Sequence, residues 1–352
     1  MIDRDDETRT LLAHAAGGHF VRLYAPRKFG KTSLIRRALR EGQRDEGLIP
    51  IAVDLYRVVS VADVAIRFER AYSQALTGSL RSRVEEFLQR TGLGLSLGAL
   101  GISARLQIDR RAVDPLPALH TLLDLPLRLE EDGLRAFVAL DEFQDVTKIP
   151  DLDGLIRSHI QYQGHVASYL FAGSEPGLMR QLFETRDRPL YGSAVPLRLH
   201  RLEDADVADY VAARFERTGR RAGEALGPLL AAAKGHPQRA MLLAHRLWAE
   251  VRSGETGTIA DWEAAHAAAL AELEAEFEAR WRGFDLAEQK TLRAVIAGDG
   301  SPYRDRVLRL LDLGKPTAQS ALKRLHAGAD VERDGTRQVV VDPLFAEWIE
   351  RS

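Results

Sequence analysis

Residues 20–33 read FVRLYAPRKFGKTS, and this stretch decides the fold. An apolar run predicts a short strand, and a tight turn then leads into a helix that opens on Lys-Thr-Ser. These are the parts of a phosphate-binding loop, in which main-chain N–H groups and the helix N-terminus surround phosphate and the lysine reaches the terminal groups. The stretch therefore predicts a nucleotide site made by Ala25, Pro26, Arg27, Lys28, Phe29, Gly30, Lys31, Thr32 and Ser33.

The loop begins with an alanine and is followed by a predicted helix. Ala25 stands where such loops usually have their first glycine, and alanine is the mildest replacement because the position needs a small side chain more than a positive φ. The helix is predicted over 31–39, with its apolar residues on one face, and is expected to stop at Gly42.

A second motif follows at residues 136–142, which read AFVALDE. The five apolar residues fit a strand that is covered on both faces. We expect Asp141 to hold Mg²⁺ through water together with the Thr32 hydroxyl, and Glu142 to polarise the water that attacks the γ-phosphate of ATP. Either motif alone can arise by chance, but the two in this order predict an ATPase core with Lys31 and Glu142 as catalytic residues.

Composition narrows the class further. The 352 residues are 45% hydrophobic and 28% charged, which is ordinary for a globular chain of two or three domains. The net charge of −2 shows no overall basic signature for nucleic acid or a membrane surface, and the absence of cysteine excludes disulfides and cysteine-based zinc sites. The acidic start has no apolar segment of a secretory signal, and no apolar stretch approaches ~18 residues. We expect a cytoplasmic protein without a membrane partner.

Five short apolar runs alternate with helical patterns up to residue 200, which is typical of a parallel sheet with helices on both faces. The predicted class is therefore α/β: a P-loop NTPase core with a parallel five-stranded sheet flanked by helices. The predicted strands are 20–24, 49–55, 136–140, 168–172 and 195–199.

After residue 200 the strand patterns stop, and helices are predicted over 204–217, 224–234, 238–251 and 261–282. The tail then reads helix, helix, turn, helix and β-wing, which is the order of a winged helix-turn-helix domain. Its helices are predicted over 286–297, 304–311 and 317–327, with Thr317 as N-cap, and its strands over 331–333 and 338–341; residues 342–345 are expected to tuck back on the domain.

The expected domains are an ATPase core (1–200), a helical lid (201–256), a linker helix (257–283) and a winged helix domain (284–352). The core carries an insertion, 92–108, whose alternating apolar residues predict a hairpin with one apolar face. The hairpin either covers a sheet edge or the helix beside it, or projects to contact a partner or a neighbouring subunit.

In their order and spacing these motifs resemble the prokaryotic AAA+/STAND-related ATPases of the archaeal-ATPase group, and more distantly the origin-recognition ATPases. The resemblance covers nearly the whole chain. The motifs that carry it are Arg4-Asp5-Asp6-Glu7, the phosphate loop with Arg27-Lys28, Asp54-Leu55, Asp141-Glu142-Phe143-Gln144, Phe171-Ala172-Gly173-Ser174, Pro189-Leu190-Tyr191-Gly192, Gly235-His236-Pro237 and the winged tail.

The resemblance implies three further site residues. Ser174 matches sensor 1, the polar residue aligned between water and γ-phosphate, although a helix N-cap is the competing interpretation. Pro237 matches the proline that packs on the nucleotide base, and Arg239 is a sensor-2-like residue that would face phosphate. For Gly235 and Pro237 the competing interpretation is a helix end followed by a helix start.

An arginine finger would act in trans within a homo-oligomer. Many relatives carry an arginine just after the Tyr-Gly before the fifth strand, where this chain has Ser193. The nearest candidates are Arg186 and Arg188, near the end of the helix that follows sensor 1, where ordinary surface charges are the alternative.

Two functions follow from this pattern. The first is an ATP-driven switch or motor with output through the lid and the winged helix. The alternative is a nucleotide-controlled regulator that contacts duplex DNA through Lys315, Lys323, Arg324 and Arg333. Acidic residues offset these cations, so the winged helix is equally suited to a protein partner or to self-assembly. An adaptor with slow or no hydrolysis is a third option, against which the intact Asp141-Glu142 pair argues.

Overall fold

The structure, a computed structural model, describes residues 4–93, 97 and 115–352. Nearly all of the hairpin predicted over 92–108 lies outside these residues. Among the described residues, no helix is both long and apolar enough to cross a membrane.

The predicted parallel five-stranded sheet is confirmed. The strands are β1 (Val21–Tyr24), β2 (Ile49–Asp54), β3 (Ala136–Asp141), β4 (Ala167–Gly173) and β5 (Val195–Arg198), and their order in the sheet is β2-β3-β4-β1-β5. The inner strands β3 and β4 are almost completely buried because helices cover both of their faces, whereas β5 lies at an edge and is largely exposed.

The register brings the ends of these strands to one edge of the sheet. Tyr24 of β1 pairs with Gly173 of β4, and Asp54 of β2 pairs with Asp141 of β3. Because all the strands run in one direction, the loops that follow β1, β3 and β4 meet at this edge, where open α/β sheets bind ligands.

Helices cover the two faces of the sheet through two separate hydrophobic cores. The helices of this part are α1 (Asp5–Ala16), α2 (Lys31–Glu46), α3 (Val61–Ala75), α4 (Gly78–Arg90), α5 (Pro115–Leu123), α6 (Leu125–Glu130), α7 (Leu152–Ile160) and α8 (Pro176–Glu184). On one face of the sheet, α1 and α2 pack against Phe137 and Ala139. On the other face, α3, α5 and α7 pack against Val138 and Leu140.

The helix after the phosphate loop is longer than predicted. It continues through Gly42 to Glu46 and ends at Gly47, whose φ of 66° gives it the left-handed conformation of a helix C-cap. Gly42 lies within α2, and its φ is not positive, so it lacks the left-handed conformation that ends a helix. The stop signal of the sequence was read at the wrong glycine.

Up to β7 the rest of the chain has the element order predicted from the sequence, and a helix that was not predicted follows. The N-cap predicted at Thr317 was wrong: the helix begins at Lys315 with Gly314 as N-cap, because Pro316 suits the first turn. The elements are α9 (Asp204–Glu216), α10 (Leu226–Ala233), α11 (Pro237–Glu250), α12 (Ile259–Arg282), α13 (Leu286–Ala297), α14 (Asp305–Leu310), α15 (Lys315–Ala327), β6 (Val331–Asp334), β7 (Arg337–Val340) and α16 (Pro343–Arg351).

A single hydrophobic core joins the lid, the linker helix α12 and the winged tail. Val211 of α9, Leu243 of α11, Phe277 of α12, Leu292 of α13 and Phe345 of α16 are all buried in it. This core crosses the predicted boundaries at 256 and 283, so the tail is packed against the lid.

A buried ion pair lies within this packed body. Arg239 of α11 is fully buried, and its Nε and Nη2 donate to the carboxylate of Asp342 over 2.9 and 2.5 Å. Burial alone raises the pKa of Asp342, but the hydrogen bonds and charge of Arg239 outweigh it and leave that pKa below its ordinary value. Asp342 also caps α16 by accepting a hydrogen bond from the main-chain N–H of Phe345.

His236 lies beside this pair as the N-cap of α11. Its Nδ1 accepts a hydrogen bond from the main-chain N–H of Arg239 over 3.3 Å. Burial lowers the pKa of His236 to about 3, against the opposing effect of the Asp342 charge, so the ring is neutral at physiological pH.

A pH-dependent stability follows from His236. Because the folded-state pKa lies below the ordinary value of 6.5, the unfolded chain binds the proton more tightly. The stabilisation is therefore present above pH 6.5 and is lost as the pH falls from 6.5 toward 3. We expect the parent to lose about 2 kcal/mol from this group between pH 8 and pH 5, measured by urea unfolding.

The control is His236→Asn, which keeps a capping acceptor but does not titrate. Its free energy of unfolding should change less between pH 8 and pH 5 than that of the parent. Equal changes in the two proteins would contradict the assignment.

Candidate active site

The phosphate loop follows β1 at the edge where the strands end. Lys28 and Gly30 both have left-handed backbone conformations, with φ of 68° and 86°, and α2 begins directly after Gly30. The loop therefore turns sharply and presents the first N–H groups of α2, which have no partners within the helix, to the cleft. Ala25 is fully buried at the start of the loop, as expected for a position that needs a small side chain.

Lys31 lies inside this loop and is buried. Its Nζ donates to the main-chain carbonyls of Ala25 and Pro26 over 2.9 and 3.2 Å. Burial lowers the pKa of Lys31, whereas the charges of Glu142 and Asp141 act in the opposite direction. The ammonium group therefore lies between the loop and the acidic pair that ends β3.

The acidic pair meets the loop at Thr32. Thr32 Oγ1 donates to Asp141 Oδ2 over 3.1 Å, and the main-chain N–H of Glu142 donates to Asp141 Oδ1 over 3.0 Å. Burial raises the pKa of Asp141, and the Glu142 charge adds to this effect. A bound cation would relieve this burial of negative charge.

These residues fit Mg²⁺. A hydroxyl and a carboxylate oxygen are hard donors, and Mg²⁺ in phosphate sites takes one or two protein carboxylates while water and phosphate complete its octahedron. Within the described residues no cluster of three acids or histidines offers a cage for a metal. A nucleotide-dependent Mg²⁺ site at Thr32 and Asp141 is consistent with both observations.

Glu142 is held by two side chains. Ser174 Oγ and Gln144 Nε2 both donate to Glu142 Oε2, each over 2.6 Å. The N-cap alternative for Ser174 does not hold, because α8 begins at Pro176 with Glu175 as N-cap. Ser174 therefore contacts Glu142, and its sensor-1 role stays a prediction. Gln144 is a neighbour to which sequence reasoning assigned no role.

A cleft of about 1060 Å³ opens between the core and the lid. Its lining includes predicted residues from Arg27 to Ser33, together with Glu142 and Pro237. Ala25 and Pro26 line a neighbouring cleft behind the loop. Sequence reasoning assigned no nucleotide-binding role to the other residues of the cleft wall, which are Arg4, Arg36, Arg37, Arg40, Tyr56, Leu202, Tyr210, Gln238 and Met241.

The loop contacts both the lid and the linker helix. The ring of Phe29 packs edge-on against His236 with centroids 5.0 Å apart, and Lys28 Nζ donates to Glu276 Oε1 of α12 over 2.6 Å. The phosphate loop is thus in direct contact with the two elements that lead to the winged tail.

The expectation that Arg239 faces phosphate is corrected. Two residues apart on a helix means about 200° of rotation, so Arg239 points away from the cleft that Pro237 lines. Its guanidinium is committed to Asp342 and lies 3.6 Å from Glu276.

The arginine-finger candidates differ in their surroundings. Arg188 Nη1 lies 3.7 Å from the carboxylate of Asp153, which is buried, whereas Arg186 is exposed. Neither is among the described residues that line the nucleotide cleft. A role in trans stays a prediction, and exposure favours Arg186 over Arg188.

The DNA-contact candidates are not brought together on one free face. Arg324 donates to Glu288 and Asp285 over 2.8 and 2.6 Å, while Lys315 is exposed. Lys323 and Arg333 line a cleft of about 900 Å³ between the winged tail and α8.

No protein-family model matches the chain, and no curated protein matches it. Among solved structures, a Walker-type ATPase of Pyrococcus abyssi is similar with 18% identity and a TM-score of 0.71, covering 99% of this chain and 96% of that one.

The ORC2 protein of Aeropyrum pernix is similar in two states. Its ADPNP and ADP complexes have 17% identity and a TM-score of 0.57, covering 100% of this chain and 94% of that one. Its ADP form has 16% identity and a TM-score of 0.53, covering 98% and 91%. At sequence identities this low, structural similarity is evidence for the fold alone. Over nearly its whole length, the chain has the fold of these P-loop ATPases.

Proposed function

We propose that this chain is a Mg²⁺-dependent ATPase of the AAA+/STAND type that works as a molecular switch or motor. The observation that carries the proposal is the meeting of three groups at one cleft. Lys31 lies in the phosphate loop, Thr32 and Asp141 are 3.1 Å apart as a donor pair for Mg²⁺, and Ser174 orients Glu142. Together they are the parts that phosphoryl transfer to water requires.

The chemistry assigns one task to each part. The loop N–H groups and Lys31 bind the β- and γ-phosphates. Thr32 and Asp141 would hold Mg²⁺, which would supply positive charge against those phosphates. The Glu142 carboxylate accepts a proton from the attacking water, and Ser174 lies beside it. Tyr210, Pro237 and Met241 form the apolar part of the cleft wall, which suits a nucleotide base.

Output would pass through the contacts of the loop. Lys28 is paired with Glu276 of the linker helix, and Glu276 also lies 3.6 Å from Arg239, which is bonded to Asp342 of the tail. Phosphate in the loop competes with Glu276 for the Lys28 ammonium, so nucleotide binding changes the charge balance at the lid and the tail.

The DNA-binding alternative has less support in this arrangement. α15, the recognition helix of the winged motif, packs against α8, where a Cβ on Gly177 would lie only 3.1 Å from Ala327. The wing is bonded to the core and to the start of the lid, since Arg198 Nη2 and Arg201 Nε donate to Glu332 over 3.3 and 2.9 Å. These contacts hold the wing and one end of α15 against the rest of the protein.

The first test concerns the general base. Glu142→Gln should lower the rate of phosphate release from ATP by about 100-fold or more, because a positioned base contributes about that much, while ATP affinity stays close to that of the parent. Steady-state phosphate release and equilibrium titration with ATP and Mg²⁺ measure the two quantities.

Glu175→Gln is the matched control, since Glu175 follows Ser174 but lines the cleft behind the loop. Its turnover should equal that of the parent. Unchanged turnover in Glu142→Gln would remove Glu142 from the mechanism.

The second test concerns the Lys28–Glu276 pair. Glu276→Gln removes the carboxylate that competes with phosphate for Lys28. Because an exposed ion pair is worth about 0–1 kcal/mol, ATP affinity should rise by up to about fivefold.

The same titration with Glu272→Gln provides the control on the same helix. Glu272 pairs with Arg246, and its loss should leave ATP affinity unchanged. Weaker binding by Glu276→Gln, or equal shifts in both variants, would show that Glu276 does not compete with phosphate.

A further inference from the structure

We propose that Gln144 is a positioning residue for ATP hydrolysis, which fixes the Glu142 carboxylate in the orientation that accepts a proton from water. This inference rests on the proposed function, because it assigns Glu142 the role of general base. It adds a residue to the site whose part in catalysis is indirect, through Glu142.

Two hydrogen-bond donors contact the same carboxylate oxygen of Glu142. Gln144 Nε2 and Ser174 Oγ each lie 2.6 Å from Glu142 Oε2, and they lie 3.5 Å from each other. A carboxylate has two acceptor oxygens, so this arrangement holds Oε2 in place and leaves Oε1 of Glu142 for water. Glu142 lines the nucleotide cleft, where that water would be bound.

The backbone makes this contact possible. Glu142 has a left-handed conformation with φ of 52°, and a 3-10 helix, Phe143–Lys148, begins directly after it. This sharp turn brings Gln144 back beneath the carboxylate that precedes it by two residues. A non-glycine residue in this conformation is uncommon, and such strain concentrates at functional sites.

The amide of Gln144 is otherwise poorly satisfied. The residue is 2% exposed, and its Oε1 is buried without a hydrogen-bond partner among the described residues. A buried polar atom without a partner lowers the free energy of unfolding, and an apolar residue of similar shape would avoid that loss. The glutamine is therefore a poor choice for packing, and its one short bond is to Glu142.

The surrounding main chain makes room for this amide. A Cβ on Gly173 would lie 2.7 Å from Gln144 Oε1 and 2.5 Å from Met179. The φ of Gly173 is not positive, so the backbone conformation does not require glycine here. The missing Cβ is what leaves room for the Gln144 amide. The last residue of β4 is small where the Gln144 side chain must lie.

A second buried glutamine, Gln163, has the contacts expected of a residue whose role is only structural. Gln163 is fully buried, its Nε2 donates to the carbonyl of Leu123 over 3.0 Å, and its Oε1 accepts from Tyr169 Oη over 2.5 Å. Both ends of that amide are bonded to groups far from the cleft. Gln163 stabilises the fold, whereas Gln144 contacts the proposed base.

The experiment compares Gln144→Leu with Gln163→Leu and Glu142→Gln in the full chain. Gln144→Leu should unfold at the same or a higher urea concentration than the parent, bind ATP with unchanged affinity, and lose about 10- to 100-fold in kcat with little change in KM. Gln163→Leu should show the opposite pattern, with lower stability and an unchanged kcat. Gln144→Met provides a second apolar variant should the leucine fail to fold.

The possible results distinguish a failure of the positioning role of Gln144 from a failure of the proposed ATPase function. Turnover that is lost in Glu142→Gln but retained in Gln144→Leu overturns the positioning role and leaves the ATPase proposal in place. Lower stability and weaker ATP binding in both Gln144 variants show a structural role and overturn the inference. Unchanged turnover in Glu142→Gln removes the proposed base, and the role of Gln144 falls with it.

Discussion

The carboxyl ends of β1, β3 and β4 lie side by side at one edge of the sheet, and the rest of the structure depends on this constraint. The pairing of Tyr24 with Gly173 and of Leu140 with Phe171 brings the phosphate loop, the acidic pair and Ser174 to one edge of the sheet. At this edge the buried Lys31 and the half-buried Asp141 favour each other's charged form. Lys31 and Asp141 would each be costly to bury alone, and each has hydrogen-bond partners as well as an opposite charge nearby.

The lid, the linker helix and the tail form the second half of the arrangement. Their common core makes the winged tail part of the body that closes the nucleotide cleft. Arg239 and Asp342 hold this body together with a fully buried charge pair, and such a pair is poorly suited to stability alone, because apolar residues often replace it without loss. Arg239 also lies 3.6 Å from Glu276, the partner of Lys28, so charged contacts run from the loop to the tail.

The sequence predicted what depends on local pattern. The five strands, the parallel sheet and the order of the tail elements come from apolar runs, turn residues and capping residues, and all are present. What failed could not be decided from local pattern. Gly42 and Gly47 carry the same stop signal, but only Gly47 takes the left-handed conformation that ends α2. Arg239 pairs with a residue 103 positions away. Tyr210 and Met241 line the cleft without any motif, so no sequence pattern could identify them.

Equilibrium binding of ATP, with and without Mg²⁺, to the parent and to Lys31→Ala tests the central claim most directly. Lys31 is the group that joins the phosphate loop to the acidic pair, so its loss should weaken ATP binding strongly, and Mg²⁺ should strengthen binding by the parent. The account is contradicted if the parent does not bind ATP in the presence of Mg²⁺, or if Lys31→Ala binds it as well as the parent does.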